Sequence, residues 1–169
     1  WKTYVGRPET DQFQRNAMTE LGNGLFKAGH HEDALSVREA ELSMARRLGA
    51  PEEHLLVVQG NLANSYEMLG RFEAALRLMR DVYSGRLRLN GEEYEETLRA
   101  AYSYAVSLNG LQRFKEAKAL MRKMMPVARR VLGENHDITL SMRSIYANVL
   151  FADPGATLDD LREAVTTLE

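Results

Sequence analysis

Apolar residues recur along this chain at intervals of three and four positions rather than in strict alternation. Leu62, Tyr66 and Leu69 show the spacing, and residues 75–82 repeat it. On an α-helix such residues share one face, whereas a strand would place apolar residues at every second position. Only four prolines interrupt the sequence, and long stretches between them are rich in good helix formers. The pattern therefore predicts an all-α fold.

The chain is also similar to itself at a nearly constant interval. Gly49, Gly91 and Gly133 lie 42 residues apart. Other sets with the same interval are Arg46, Arg88 and Arg130; Ala63, Ala105 and Ala147; Tyr104 and Tyr146; and Phe72 and Phe114. A turn followed by a helix start occurs at 29–35, 70–76 and 112–118, with the first copy offset by 41 residues. Such self-similarity is typical of repeat architectures.

Each repeat is predicted to be a pair of antiparallel helices. The predicted first helices are 11–28, 51–69, 92–111 and 135–152, and the predicted second helices are 31–48, 72–89, 114–132 and 157–169. A glycine or polar turn ends the first helix, and a glycine in the left-handed conformation ends the second. We place four repeats at about 11–49, 50–91, 92–133 and 134–169, after an N-terminal extension at 1–10.

Small residues mark the places where the two helices of a pair are expected to cross. They are Gly22, Ala63, Ala105 and Ala147 on the first helices, and Ala34, Ala75 and Ala117 on the second helices. One pair alone cannot bury its apolar face, so successive pairs must stack and share a continuous core. We therefore expect a superhelical array whose first helices line the inner wall.

Three stretches of sequence carry a resemblance to a known family. They are Asn61–Tyr66, Leu69–Leu76 and Ala128–Asp137. The chain resembles the tetratricopeptide repeat (TPR) family over about residues 16–169, and in particular the 42-residue repeats of kinesin light chains. The resemblance implies a right-handed α-solenoid of about four antiparallel helix hairpins, the TPR superhelix. It also implies a non-catalytic scaffold for protein–protein interaction.

Two departures from the repeat pattern are visible. Residues 152–156 replace the tight turn expected in the last hairpin, and Thr157 with Asp160 is predicted to cap the helix that follows. Val106 stands where the second and fourth repeats have Asn64 and Asn148. The asparagines therefore do not form a uniform ladder.

The family resemblance also implies a binding surface on the inner wall. In such proteins asparagines of the first helices bond the backbone of an extended peptide, and charged residues select its side chains. The matching positions here are Asn23, Lys27, Asn61, Asn64, Glu67, Arg99, Tyr102, Asn109 and Asn148, with Thr19, Glu20, Met68, Ser103, Ser144 and Phe151 beside them. The alternative for the asparagines is a structural role, capping helices or bridging neighbouring repeats.

Composition and motifs exclude several kinds of chemistry. The 169 residues contain no cysteine, so disulfide frameworks, thiolate metal sites and thiol nucleophiles are excluded. His30 and His31 are adjacent and point apart, which does not suit a metal pair, and we expect both in an exposed turn. The sequence has no glycine-rich phosphate loop and no nucleophile elbow. We predict no catalytic site, no metal and no cofactor.

Charge argues against a nucleic-acid partner. The formal net charge is −2, and the arginines at 46, 88 and 130 lie near predicted helix ends, where they interact with helix dipoles. The methionines at 79, 121, 124 and 125 are predicted to fill the core. No run of residues is apolar enough for a membrane span. The expected partner is therefore a protein or peptide.

The last predicted helix leaves a second possibility open. Leu158, Leu161, Val165 and Leu168 share one side of it, and no polar capping helix follows. Either the parent protein continues with more repeats or two copies associate end to end. The alternative function is thus a structural or sensor module that packs through its ends or convex face. The opening residues do not form a signal peptide, and we expect a cytoplasmic fragment of a longer repeat protein.

Overall fold

The computed structural model of the chain describes residues 12–168, which form eight α-helices and no strand. The helices are α1 (Gln12–Lys27), α2 (His31–Arg47), α3 (Glu52–Met68), α4 (Phe72–Asn90), α5 (Glu95–Gly110), α6 (Phe114–Leu132), α7 (Asp137–Ala152) and α8 (Leu158–Leu168). The predicted extension at 1–10 lies outside the described residues. Alternating first and second helices are thus present as the sequence predicted.

The predicted helix ends differ most from the observed ones at the start of α5. We predicted a start at residue 92, whereas α5 begins at Glu95. Glu92 and Glu93 instead lie in a turn after Gly91, which has a φ of 83°, and Tyr94 has an extended backbone. The left-handed glycine ends α4 abruptly, so the chain needs these residues to reverse its direction.

Of the first helices, α1, α3 and α5 are each followed by a left-handed residue, which is a glycine after α1 and α3 but not after α5, whereas Asp153 after α7 has an extended backbone. Gly70 follows α3 with a φ of 69°, and its equivalent after α5 is Gln112, with a φ of 57°. The turn hydrogen bonds are the same at both places: Arg71 N donates to Tyr66 O at 2.8 Å, and Arg113 N donates to Leu108 O at 2.9 Å. Gln112 therefore adopts a conformation that favours glycine.

The chain divides into two compact units within α4, between Leu78 and Met79. In the first unit, α2 packs against both α1 and α3. Its core contains Leu35, Leu42, Val58 and Leu62. The small residues predicted at helix crossings are buried, and a Cβ added to Gly22 would lie 3.3 Å from Cγ of Arg38. The close approach of α1 to α2 thus depends on this glycine.

In the second unit, consecutive helices pack from α5 to α8, and α5 also packs against α7. The core includes Met121, Met124, Met125, Met142 and Tyr146, with Ala105, Ala117 and Ala147 buried at the crossings. Contact between α5 and α7 places the first helices of successive hairpins side by side, as stacking of repeats requires. The predicted core role of the second-helix methionines is confirmed.

Candidate functional site

The structure places five of the predicted wall residues in the first unit. Asn23 and Lys27 lie one turn apart on α1, and Asn61, Asn64 and Glu67 lie on α3. Lys27 is exposed, and the other four are partly buried. These residues project from the two helices that share α2 as a packing partner.

Arg38, on α2, joins these two helices. Its Nη1 donates to the backbone oxygen of Asn61 at 2.7 Å and to Oγ of Ser65 at 2.7 Å, and its Nη2 donates to Oδ1 of Asn23 at 3.2 Å. Only 4% of Arg38 is exposed. Desolvation by burial lowers the pKa of Arg38, although the nearby charge of Glu41 opposes this shift.

The ring of Phe26 covers one side of the Arg38 guanidinium, with 4.6 Å between Cζ and the ring centroid. His31 contacts the same ring edge-on, at 5.1 Å between centroids. His30 is exposed as expected, but His31 is partly buried as the first residue of α2. The expectation of an exposed turn was therefore wrong for His31, because Phe26 covers it.

Glu41 is the second buried charged residue of α2, with 2% exposed. Its Oε1 accepts a short hydrogen bond from Oγ1 of Thr19 on α1. Burial raises the pKa of Glu41, and the Thr19 hydrogen bond and the charges of His54 and Arg38 oppose that rise. Thr19, expected beside the binding residues, is thus turned towards α2.

Comparison of the repeats shows that these two charges stand where the second and third repeats have apolar residues. When the repeats are aligned on their turn sequences, Arg38 corresponds to Met79 and Met121, and Glu41 corresponds to Val82 and Met124. All four counterparts are buried and apolar. Sequence reasoning missed Arg38 and Glu41, although two charges at positions that are apolar in the second and third repeats were a usable signal.

The second unit contains Arg99, Tyr102, Asn109 and Asn148. Arg99 is exposed and donates to Glu95 of its own helix at 2.8 Å, and Tyr102 packs partly against the core. Nδ2 of Asn109, on α5, donates to Oδ1 of Asn148, on α7, at 3.0 Å. This bond bridges the first helices of successive hairpins, as the structural alternative for the asparagines requires.

Polar residues also join α6, α7 and α8. Arg122, on α6, donates from Nε to the Tyr146 hydroxyl at 2.8 Å and from Nη2 to Glu163 at 2.6 Å. The Tyr146 hydroxyl in turn donates to Glu163 at 2.5 Å. Burial and then the Glu163 hydrogen bond raise the pKa of Tyr146 to about 12. Lys118 donates to Asp160 at 2.9 Å. The network fastens α8 to its neighbours.

The predicted cap of α8 is confirmed. Thr157 N donates to Asp160 Oδ2 at 3.0 Å, and Asp160 N donates to Thr157 Oγ1 at 3.1 Å. These are the two reciprocal bonds of a capping box. The backbone bond from Thr157, and then the bond from Lys118, hold the pKa of Asp160 well below its usual range.

Comparison with known proteins decides the family. Two family models described as tetratricopeptide repeat match residues 13–88 and 97–137, which together are more than half of the chain. The chain belongs to the tetratricopeptide repeat family. TPR repeats generally mediate protein–protein interaction. No curated protein matches the chain.

Solved structures with TPR folds agree over nearly the full length. Two structures of a Podosopora anserina protein named as a kinesin light chain, with nearly identical TPR-like repeats, each have a TM-score of 0.81. Their identities to this chain are 18% and 17%, and the match covers 99% of this chain and 76% and 78% of theirs. At these identities the likeness shows the fold alone, and the predicted α-solenoid of TPR hairpins is confirmed.

Two further solved structures with a similar fold come from other organisms. BtubC (BKLC) from P. vanneervenii has a TM-score of 0.74 at 17% identity, covering 94% of this chain and 63% of that one. A signal transduction ATPase with numerous domains and a TPR sensor, from Pyrococcus horikoshii, has a TM-score of 0.73 at 18% identity, covering 98% of this chain and 25% of that one. The same fold therefore occurs in different protein contexts.

A separate groove of about 410 Å³ lies within the first TPR unit, between α2, α3 and the start of α4. Leu42, Leu62 and Leu78 form its apolar part, and Arg46 and Arg77 lie beside them. This groove is lined largely by second helices, unlike the predicted wall residues. Across residues 12–168, no three His, Asp or Glu residues form a group that could hold a metal ion. None of the helices in that range is both long and apolar enough to cross a membrane.

Proposed function

We propose that this TPR chain is a protein–protein interaction scaffold that binds an extended peptide on the wall formed by its first helices. The observation that carries the proposal is the position of Arg38. Its guanidinium bonds the side chain of Asn23 on α1 and the side chain of Ser65 on α3, so side chains from two first helices lie around one buried cation. Half-buried amides are suitable for peptide recognition because each offers both donor and acceptor groups.

The charged residues at the predicted wall favour a peptide that carries both acidic and basic side chains over a peptide with charges of one sign. Lys27 and Arg99 provide cations at the predicted wall, whereas Glu67 provides an anion. Arg99 donates to Glu95 through Nη2, and its guanidinium keeps further N–H donors for a ligand. We therefore propose that backbone hydrogen bonds supply much of the affinity and that a few charged contacts select the sequence.

The proposal is tested by selecting short random peptides, displayed on phage, against the intact chain. Synthetic copies of the selected peptides are then titrated against wild type, Asn64→Ala and Ser36→Ala. Ser36, exposed on α2, is the matched control. Asn64→Ala should weaken binding about tenfold, the usual consequence of a lost hydrogen bond, with an unchanged melting temperature. Equal binding by Asn64→Ala, or a large fall in its melting temperature, would contradict the proposed contact.

A second candidate function rests on α8. Leu158, Leu161 and Val165 are 63%, 38% and 59% exposed, so one face of this helix is apolar and uncovered within the described residues. A structural or sensor module that packs through its end would cover this face. Analytical ultracentrifugation tests self-association: a concentration-dependent dimer that Leu161→Lys abolishes supports it, and a monomer at all concentrations opposes it.

A further inference from the structure

The buried charges of α2 are not required by the packing of a TPR hairpin. Met79 and Val82 on α4, and Met121 and Met124 on α6, occupy the same repeat positions and are buried. Burial of a charge is unfavourable unless other interactions compensate. Nε of Arg38 and Oε2 of Glu41 are both buried without a hydrogen-bond partner, so compensation is incomplete. Arg38 and Glu41 therefore call for an explanation other than stability.

Arg38 determines which atoms of Asn23 are available to a ligand. A guanidinium has hydrogen-bond donors and no acceptor, so the Asn23 atom facing Arg38 must be the amide oxygen. The NH₂ group of Asn23 is then left for another partner. Lys27, one turn further along α1, is exposed and also offers only donors. This part of α1 is consequently suited to an acceptor group.

Arg38 and Glu41 together hold successive turns of α1. Glu41 accepts from Thr19, and Arg38 donates to Asn23 four residues later. Arg38 also donates to the Asn61 carbonyl and the Ser65 hydroxyl, which are one turn apart on α3. The two charges thus bond α1 at two successive turns, and Arg38 also connects α1 to α3.

We propose that Arg38 and Glu41 are positioning residues for a ligand site on α1 and α3, where Asn23 donates its amide N–H groups to a backbone carbonyl of an extended peptide. The proposal rests on the proposed function, in which Asn23 already bonds the peptide backbone, and adds to it the two buried charges that orient this amide. Asn23 contacts the peptide, whereas Arg38 and Glu41 act through the helices that they hold. A side-chain carboxylate of the peptide could occupy the same position, with Lys27 beside it.

The test replaces both charges by their counterparts from the second repeat, giving Arg38→Met/Glu41→Val. Asn23→Ala and the combined triple variant complete a thermodynamic cycle, and Ser36→Ala is the control. The probes are the peptides selected on the wild-type chain, together with copies in which each Asp or Glu is replaced by Asn or Gln. The readouts are the dissociation constant, the urea midpoint of unfolding and the NMR signals of the Asn23 side-chain NH₂ group.

The proposal predicts that the double variant unfolds at the wild-type urea concentration or above, yet binds the peptides about tenfold more weakly. Asn23→Ala should produce a similar loss, and the triple variant no further loss, because all three changes act on one contact. Peptides without acidic side chains should bind as well as their parents. A loss confined to those peptides would contradict the backbone-carbonyl assignment and favour a carboxylate.

Two outcomes would overturn the positioning role. One is wild-type affinity in the double variant, and the other is an Asn23 NH₂ signal that the double variant leaves unchanged. The NMR measurement needs no ligand and therefore separates the two proposals. If wild type selects no peptide, the proposed function fails, whereas the Asn23 signal still decides whether Arg38 and Glu41 position this amide.

Discussion

The two units of this TPR chain bury charged groups with opposite consequences. In the second unit, Asp160 accepts from Thr157 and Lys118, and these bonds lower its pKa. In the first unit, burial is the dominant effect on Glu41 and raises its pKa. A carboxylate with a lowered pKa stabilises the folded state at neutral pH, and one with a raised pKa destabilises it.

The difference follows from where each group lies. Asp160 is at a helix N-terminus, where backbone N–H groups need acceptors, so its charge completes a local structure. Glu41 lies within α2, where the backbone already satisfies its own hydrogen bonds. Burial of Glu41 and Arg38 therefore gives up stability that apolar residues would supply. This is the pattern expected where a fold retains polar groups for function.

Arg38→Ala is expected to change the free energy of unfolding more than any other variant proposed for this protein. The change removes three hydrogen bonds that Arg38 donates. It leaves a cavity beside their acceptors, which are the Asn61 carbonyl, the Ser65 hydroxyl and the Asn23 amide oxygen. We expect the free energy of unfolding to fall by about 3 kcal/mol, as for other broken buried charge interactions. Urea denaturation measures this loss. A fall of less than about 1 kcal/mol would mean that water readily replaces the guanidinium.

For Arg38→Met/Glu41→Val we expect the free energy of unfolding to change in the opposite direction. Apolar residues of similar volume in place of buried charges are often neutral or stabilising by about 1–4 kcal/mol. We expect a gain of about 1 kcal/mol in the free energy of unfolding, because Met and Val already pack at these repeat positions. The same urea experiment, with Arg38→Ala alongside, provides the comparison. Destabilisation of the double variant would show that these charges are needed for the fold.

A smaller effect is expected at the turn after α5. Gln112 has a φ of 57°, whereas its counterpart Gly70 has a φ of 69°. Gln112→Gly should raise the free energy of unfolding by about 0.5–1 kcal/mol, because glycine adopts this conformation without a steric penalty. Gly70→Ala is the matched variant and should lower it by a similar amount. Thermal unfolding of the two variants would contradict the interpretation if both shifts had the same sign.

The titration of Asp160 is expected to change the free energy of unfolding least near neutral pH. Its pKa is lowered in the folded state, so its contribution to stability is complete above the ordinary carboxyl range of about 4. That contribution is lost as the pH falls from there towards the folded pKa. Urea unfolding between neutral and acidic pH should therefore show a steeper loss for wild type than for Asp160→Asn. Parallel curves would contradict the lowered pKa.

The sequence was sufficient for most of the fold because the determining signals are local. Glycines and alanines at a 42-residue interval mark helix ends and crossings, and apolar periodicity marks the helices between them. Thr157 and Asp160 were predicted as a cap because the two residues are only three positions apart. The start of α5 was predicted too early, since the turn after Gly91 has the composition of a helix start.

The site was less predictable because its contacts join distant positions. Arg122 meets Tyr146 and Glu163 across 24 and 41 positions, and no periodic pattern specifies those partners. Asn109 and Asn148 were identified as a possible ligand surface, but their mutual hydrogen bond depends on how α5 and α7 pack. Arg38 could have been found by aligning the repeats, although its bond to Asn23 could not.

The central claim is that the first helices provide the ligand surface and that Asn23 is oriented for it. NMR of the side-chain amides during titration with a selected peptide tests this claim most directly. We predict that the NH₂ signals of Asn23 and Asn64 shift in proportion to the bound fraction, while residues lining the groove between α2 and α4 remain unchanged. Shifts confined to that groove or to the exposed face of α8 would contradict the account.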